Sequence, residues 1–343
     1  MAIISKQTVG GKWILEVDQA PNTGAGVIAP IGSEAYYSDG VNGFTFVKTG
    51  ASDLDWVCDS DEVFNVINLK EQADNPNPPV DGLNIYSLSI TGRKMLKAVG
   101  PSGLDYALQP HIGRNKTSLW QANGNATTTT AIGQAFSTTG TGTTRTVSSA
   151  TFFGTFRRLG YVSNNGAGST CGIRTTVLQY HRGNIAKAGG FHFITRFGIS
   201  DASAVATGRM FIGLLASGAI IGNVEPSTLT NILGFGADSS DINLQFIHND
   251  GAGTATKINL GANFPVNTRN TDMYEVSIFC PPNGNEVFYQ VLNLTNDQKV
   301  SGSVSINIPS ATQLLAYQLW RNNGSTALAV GLDIVNIYME TDN

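Results

Sequence analysis

Apolar and polar residues alternate with a period of two along the second half of the chain. In the run Phe191 to Phe197, Phe191, Phe193, Thr195 and Phe197 fall on one side, with His192, Ile194 and Arg196 on the other. Successive strand side chains point to opposite faces, so this is the pattern of a strand with one face in a core. Tyr274, Val276, Ile278 and Cys280 share a face in the same way. Short apolar runs at 152–162, 172–180, 209–216, 231–237, 242–249, 286–294, 303–307, 314–320 and 332–340 complete the series. Turn residues separate them, and no helical period comes between, which predicts an antiparallel sandwich rather than βαβ units.

The first half is less regular. Residues 12–17, 33–38, 44–50 and 53–57 read as the strands of a small β-meander, with a hairpin turn at Asp39–Gly43. Val63, Val66, Ile67 and Lys70 stand at helical spacing behind Ser60 and predict a short helix over 61–72, although their β-branched content also suits a strand. Asn75-Pro76-Asn77-Pro78-Pro79 then ends any regular element. Residues 83–90 predict one strand, left as an exposed edge, and the punctuated stretch after it predicts none. From Thr127 to Ser149, 13 of 23 residues are Thr or Ser. With few large apolar groups, that stretch reads as an extended linker or surface strand. The expected organisation is an all-β chain in three sections: an N-terminal module at 1–75, a Pro-, Gly- and Thr-rich linker or oligomerisation region at 76–150, and a jelly-roll-like β-sandwich at 151–343.

Charge narrows the function. Charged residues make up 13% of the chain, and the net charge is −4, so there is no basic field for nucleic acid. The apolar runs are far shorter than the ~20 residues that span a bilayer, and residues 1–13 lack the pattern of a secretory signal. Cys58, Cys171 and Cys280 are odd in number and far apart, which disfavours a disulfide framework and a zinc site. His111, His181, His192 and His248 show no metal spacing, and no nucleophile elbow, P-loop or dinucleotide fingerprint is present. The expectation is a non-enzyme without cofactor or metal. Asp238, Asp241 and Asp250 are the tight acidic group in the sandwich, but all sit in turn-like sequence, where Asp bonds its own backbone.

Residues 10–21 and 29–57, with Asp39-Gly40, Lys48-Thr49-Gly50 and Asp55-Trp56, resemble a short module near the start of phage appendage and head-decoration proteins. From Gly189 onward the order and texture of the strands are similar to concanavalin-like jelly rolls carried by phage fibres. Residues 76–150 match neither. The resemblance implies a structural virion protein, assembled in the bacterial cytoplasm as a homotrimer. The N-terminal module, with Trp13 and Trp56 as core or contact aromatics, would attach it to other virion proteins. It further implies an outer domain that holds a host-surface glycan in loops. The loops with suitable chemistry are Trp320-Arg321-Asn322-Asn323-Gly324, and His248-Asn249-Asp250-Gly251 with the preceding Asp238–Asp241 turn. Trp320 would cover a sugar face and Asn322 and Asn323 would bond hydroxyls. The competing reading makes Asn-Asn-Gly an ordinary turn and Trp320 a core residue. Two other functions fit the same sequence: a glycan-degrading tailspike enzyme, which needs two converging carboxylates, and a free carbohydrate-binding module.

Overall fold

The computed structural model describes residues 2–22, 26–38, 43–52, 54–58, 69–77, 79–80, 83–99, 105–107, 116–186 and 188–341. Strands hold 47% of the chain and helix 2%, which makes the protein all-β. It divides into two compact units, Met1–Asn68 and Leu69–Asn343.

The first unit is one sheet in chain order: β1 (Ile3–Val9), β2 (Lys12–Val17), β3 (Glu34–Ser38), β4 (Gly43–Lys48) and β5 (Trp56–Cys58). Gly10 and Gly11, at φ +57° and +80°, form the two-residue turn that closes β1 on β2. β3 and β4 pair antiparallel as the hairpin predicts, with the turn residues 39–42 outside the described ones. β2 and β3 run parallel, so the sheet departs from a strict meander at that step. Leu15, Val17, Val27, Ala35 and Phe46 form its core. The helix expected over 61–72 falls mostly outside the described residues, but its last two positions form a strand, β6 (Glu71–Gln72).

In the second unit β6 joins β7 (Asn84–Ile90), β8 (Arg93–Val99) and β9 (Asp105–Ala107) in a four-stranded sheet. Two expectations fail here. The strand at 84–90 is flanked by β6 and β8 and is no edge, and a full strand, β8, lies in the stretch where none was predicted. Thr91 and Gly92, both at positive φ, make the tight turn between β7 and β8.

The sandwich follows: β10 (Lys116–Ala122), β11 (Thr129–Ile132), β12 (Ser137–Thr139), β13 (Thr141–Thr144), α1 (Phe152–Thr155), β14 (Leu159–Val162), β15 (Thr170–Arg174), β16 (Phe191–Ile199), β17 (Arg209–Leu215), β18 (Ile232–Ala237), β19 (Gln245–Asn249), β20 (Thr256–Asn259), β21 (Met273–Cys280), β22 (Val287–Asn293), β23 (Gln298–Val304), β24 (Ala316–Asn322) and β25 (Gly331–Thr341). One sheet runs β11-β10-β25-β16-β21-β22-β23, with β14 on β25 and β13 on β14. The other runs β12-β15-β24-β17-β18-β19-β20. The predicted face of Phe191, Phe193, Thr195 and Phe197 is buried. Phe193, Val276 and Ile278 of the first sheet share one core with Ile212, Leu233 and Leu319 of the second. Phe246 and Tyr289 stack with ring centres 4.0 Å apart.

The sandwich therefore begins at Lys116, not at 151. Of the two readings of the Thr-rich stretch the surface strand holds and the linker does not, because it supplies the short polar strands β11 and β12 at one border of each sheet, and β13 against β14. Thr suits strands through its branched Cβ, and its hydroxyl keeps a border strand wet and unattractive to other chains. The strand predicted over 152–162 starts instead as the one-turn helix α1, where the Thr151 hydroxyl accepts from Gly154 N at 3.1 Å.

Candidate functional site

Strand register separates the two candidate loops. Leu215, Ile232, Asn249 and Ala316 meet at one end of the seven-stranded sheet, and Arg209, Ala237 and Asn322 lie at the other. The His248–Gly251 loop is therefore a sheet-length from both the Asp238–Asp241 turn and the Trp320–Gly324 segment, and the expected grouping is corrected.

At the Asn322 end the side chains are committed inward. Trp320 is fully buried on the outer face of the seven-stranded sheet, in a second apolar cluster with Phe211, Leu215, Ile221, Ile232 and Ile247. The segment 216–231, which joins β17 to β18, runs out and back across this face and covers it. Trp320 Nε1 donates to Ile221 O at 2.9 Å, and Gln318 Nε2 donates to Ser217 O and Ala219 O. Trp320 is thus a core residue and no platform for a sugar.

Its neighbours are equally enclosed. Arg321 is buried, and its Nε donates to Asp201 Oδ1 at 2.8 Å. Asn322 Nδ2 donates to Gly168 O at 3.0 Å, while its Oδ1 accepts from Gly324 N at 2.7 Å. Asn323 Nδ2 donates to Gly166 O and Leu328 O. These amides fasten loops to the sheet and are not presented to a ligand.

The acidic turn is neutralised from within. Lys257 Nζ donates to Asp238 Oδ2 at 2.8 Å and to Asp241 at 2.9 Å, and Ser227 N donates to Asp238 Oδ1 at 3.0 Å. Burial alone would raise the Asp238 pKa, but Lys257 and the Ser227 donor outweigh it and hold the carboxyl below its ordinary value.

The opposite end is different. His248 is buried, its Nδ1 2.9 Å from Asn307 O. Burial lowers its pKa against the pull of that carbonyl. Asn249 Nδ2 donates to Leu229 O at 2.8 Å and anchors the covering segment. On this base Asp250 forms a turn, its Oδ1 accepting from Ala252 N at 2.9 Å. Asn231, Asp250, Gly251, Ala252, Ile308, Ser310 and Gln313 line an open cleft of about 490 Å³. Of the expected site residues, Asp250 alone lines it. Asn231, Ser310 and Gln313 come from distant parts of the sequence, and only the β24–β17–β18–β19 order of the sheet brings them together.

In the first unit Trp13 is half-buried against the small core, with Lys6 Nζ 3.0 Å from its ring centre. Trp56 lies in β5, and its side chain is outside the described residues. A groove of about 910 Å³ lies against β1, β2 and β3, lined by Ile4, Lys6, Ile14, Glu16 and Tyr36. Among the described residues no three His, Cys, Asp or Glu side chains gather as metal ligands, and no helix is long and apolar enough to cross a membrane.

No protein-family model matches the chain, and no curated protein matches it. Among solved structures it is similar to a protein of unknown function from Shewanella oneidensis MR-1, at 11% identity over 68% of this chain and 90% of that one, with a TM-score of 0.44. It is also similar to arcelin-5, a lectin-like defense protein from Phaseolus vulgaris, at 10% identity over 67% and 99% with a TM-score of 0.41. Lectin II from Ulex europaeus matches at 10% identity over 66% and 97%, with a TM-score of 0.41. None of these likenesses transfers a ligand or a site residue to this chain.

Proposed function

We propose that the chain is a non-enzymatic carbohydrate-recognition protein, a trimeric phage appendage subunit whose sandwich holds a glycan in the Asp250 cleft. The observation that carries this reading is the lining of the cleft. A carboxylate, two side-chain amides and a hydroxyl converge beside the apolar Ile308, which suits the hydroxyls and the apolar face of a sugar ring. Asp250 is the one carboxylate in the lining. Glycoside hydrolysis uses a pair, so binding without cleavage is the reading favoured. Repetition of the site on one particle would make weak binding sufficient.

The first unit is the proposed attachment end. All seven residues of β1 are exposed, Ile3, Ile4 and Val9 among them. A strand with one free edge and two wet faces is suited to pairing with another chain.

The test is a glycan array with the full chain, followed by titration of any hit against Asp250→Ala and Gln313→Ala. Binding that falls at least about tenfold in both variants supports the cleft, since each loses a buried-on-binding hydrogen bond. No glycan bound, or binding indifferent to both substitutions, removes the reading. Deleting residues 1–68 is expected to keep the chain out of particles, and sedimentation of the intact chain is expected to give a trimer.

A further inference from the structure

Across the outer face of the nine-stranded sheet, five side chains stand opposite one another on adjacent strands: Glu340 on β25, His192 on β16, Phe279 on β21, Phe288 on β22 and Ser303 on β23. The tip of the β7–β8 hairpin lies on this row. The Thr91 hydroxyl meets that of Ser277, and both residues are buried. Arg93 Nη2 donates to Glu340 Oε1 at 2.7 Å, and its guanidinium stands 5.8 Å from the centre of the Phe279 ring. At Gly92, φ is +79° and an added Cβ would fall 2.9 Å from the Phe288 ring, so the turn and the close approach both require glycine.

His192 lies beneath this contact, fully buried, with the Phe279 ring 5.5 Å away. Neither ring nitrogen has a hydrogen-bond partner among the described residues. An imidazole enclosed in this way is tolerated only while neutral, because a buried charge without a partner is far more costly than a buried dipole. The charged and titratable groups that face it are Arg93 from the hairpin and Glu340 and Tyr338 from β25. Glu340 already accepts from Arg93 and from the Tyr338 hydroxyl. Burial first, and then the Arg93 charge, push the His192 pKa down to about 3 against the pull of Glu340.

We propose that the β7–β8 hairpin is an acid-released latch on the sandwich, docked while His192 is neutral and lifted when that imidazole takes up a proton. The sign follows from the two forms. Lifting exposes the ring to water, where a histidine titrates near ~6.5, whereas the docked form holds it well below. Between those values the lifted form binds one more proton. Docking is therefore at full strength above about pH 6.5 and weakens about tenfold for each unit below it.

Ser277→Cys, read in the full chain, gives the open fraction directly. The alkylation rate of the new thiol is divided by that of an unstructured reference cysteine at the same pH, peptide by peptide. Between pH 7.5 and 5.0 its protection should fall about thirtyfold. With His192→Phe added, which fills the same space without a titratable group, the fall should shrink to less than about twofold. His192→Gln serves as the second variant if the phenylalanine is not accommodated. A parent whose protection changes less than about threefold, or an equal loss in the histidine variants, overturns the latch.

Discussion

At the scale of single residues, polar side chains that look exposed in the sequence are the ones that hold the sandwich together. Trp320 fills the outer-face cluster and donates its indole N–H to Ile221 O, so Trp320→Ala is expected to cost about 3–5 kcal/mol, measured by urea unfolding, through cavity formation. Removing one member of the buried Arg321–Asp201 pair is expected to cost as much, because the other charge is left without a partner. Asp238 has a smaller, pH-dependent role. Its pKa is depressed in the fold, so its contribution is present above the ordinary carboxylate value of ~3.9 and is lost as pH falls through the folded value. The Lys257 partner is partly exposed. Asp238→Asn should therefore cost no more than about 1 kcal/mol at pH 6, and the difference from the parent should shrink as the pH falls through the folded value.

At the scale of elements, strands were legible where one face is dry. The alternation at 191–197 and 274–280 gave β16 and β21 with the right faces inward, because burial on one side imposes period two. β8, which was missed, and the Thr-rich β11 to β13, left open between linker and surface strand, lack that signal. In β8 two side chains are exposed and four buried, the last three, Lys97, Ala98 and Val99, in succession, and the Thr-rich strands bury almost nothing. The turn at Thr91–Gly92 was the one local sign of the β7–β8 hairpin. The site was less legible still. Asp250 could be picked from its turn, but Asn231, Ser310 and Gln313 meet it only through register. The burial of Trp320 depends on the segment 216–231, which has no periodic pattern. Close backbone approach is a further element-scale constraint hidden in the sequence. At Gly172, φ is +146°, and a Cβ would fall 1.9 Å from Leu319 O on the paired strand. Gly172→Ala is expected to loosen the β15–β24 pairing and to lower stability by more than about 2 kcal/mol, seen as faster amide exchange in both strands.

At the scale of the whole molecule, the point at which the sandwich begins decides which fragment can fold. β25 is the long strand of the nine-stranded sheet, and one of its edges is shared by two partners. Gly331–Ile334 pair with β14, and Asn336–Thr341 pair with β10. A fragment starting at 151 keeps the first pairing and loses the second. It also loses β13 from β14 and β12 from β15. Trp120, 1% exposed against Tyr161 and Phe136, goes with it, and so does the Arg145–Asp333 pair, which leaves the buried Asp333 to Arg158 and Ser200. The loss of Trp120 burial alone is about 3 kcal/mol, and two freed sheet edges and a weakened buried pair add to it. Domains of this kind are stable by only about 5–15 kcal/mol. The fragment 116–343 is therefore expected to give a strand-dominated far-UV spectrum and a cooperative thermal transition, whereas 151–343 should aggregate or melt without cooperativity. Equal melting temperatures for the two fragments would show that β10 to β13 are appended to the sandwich rather than built into it.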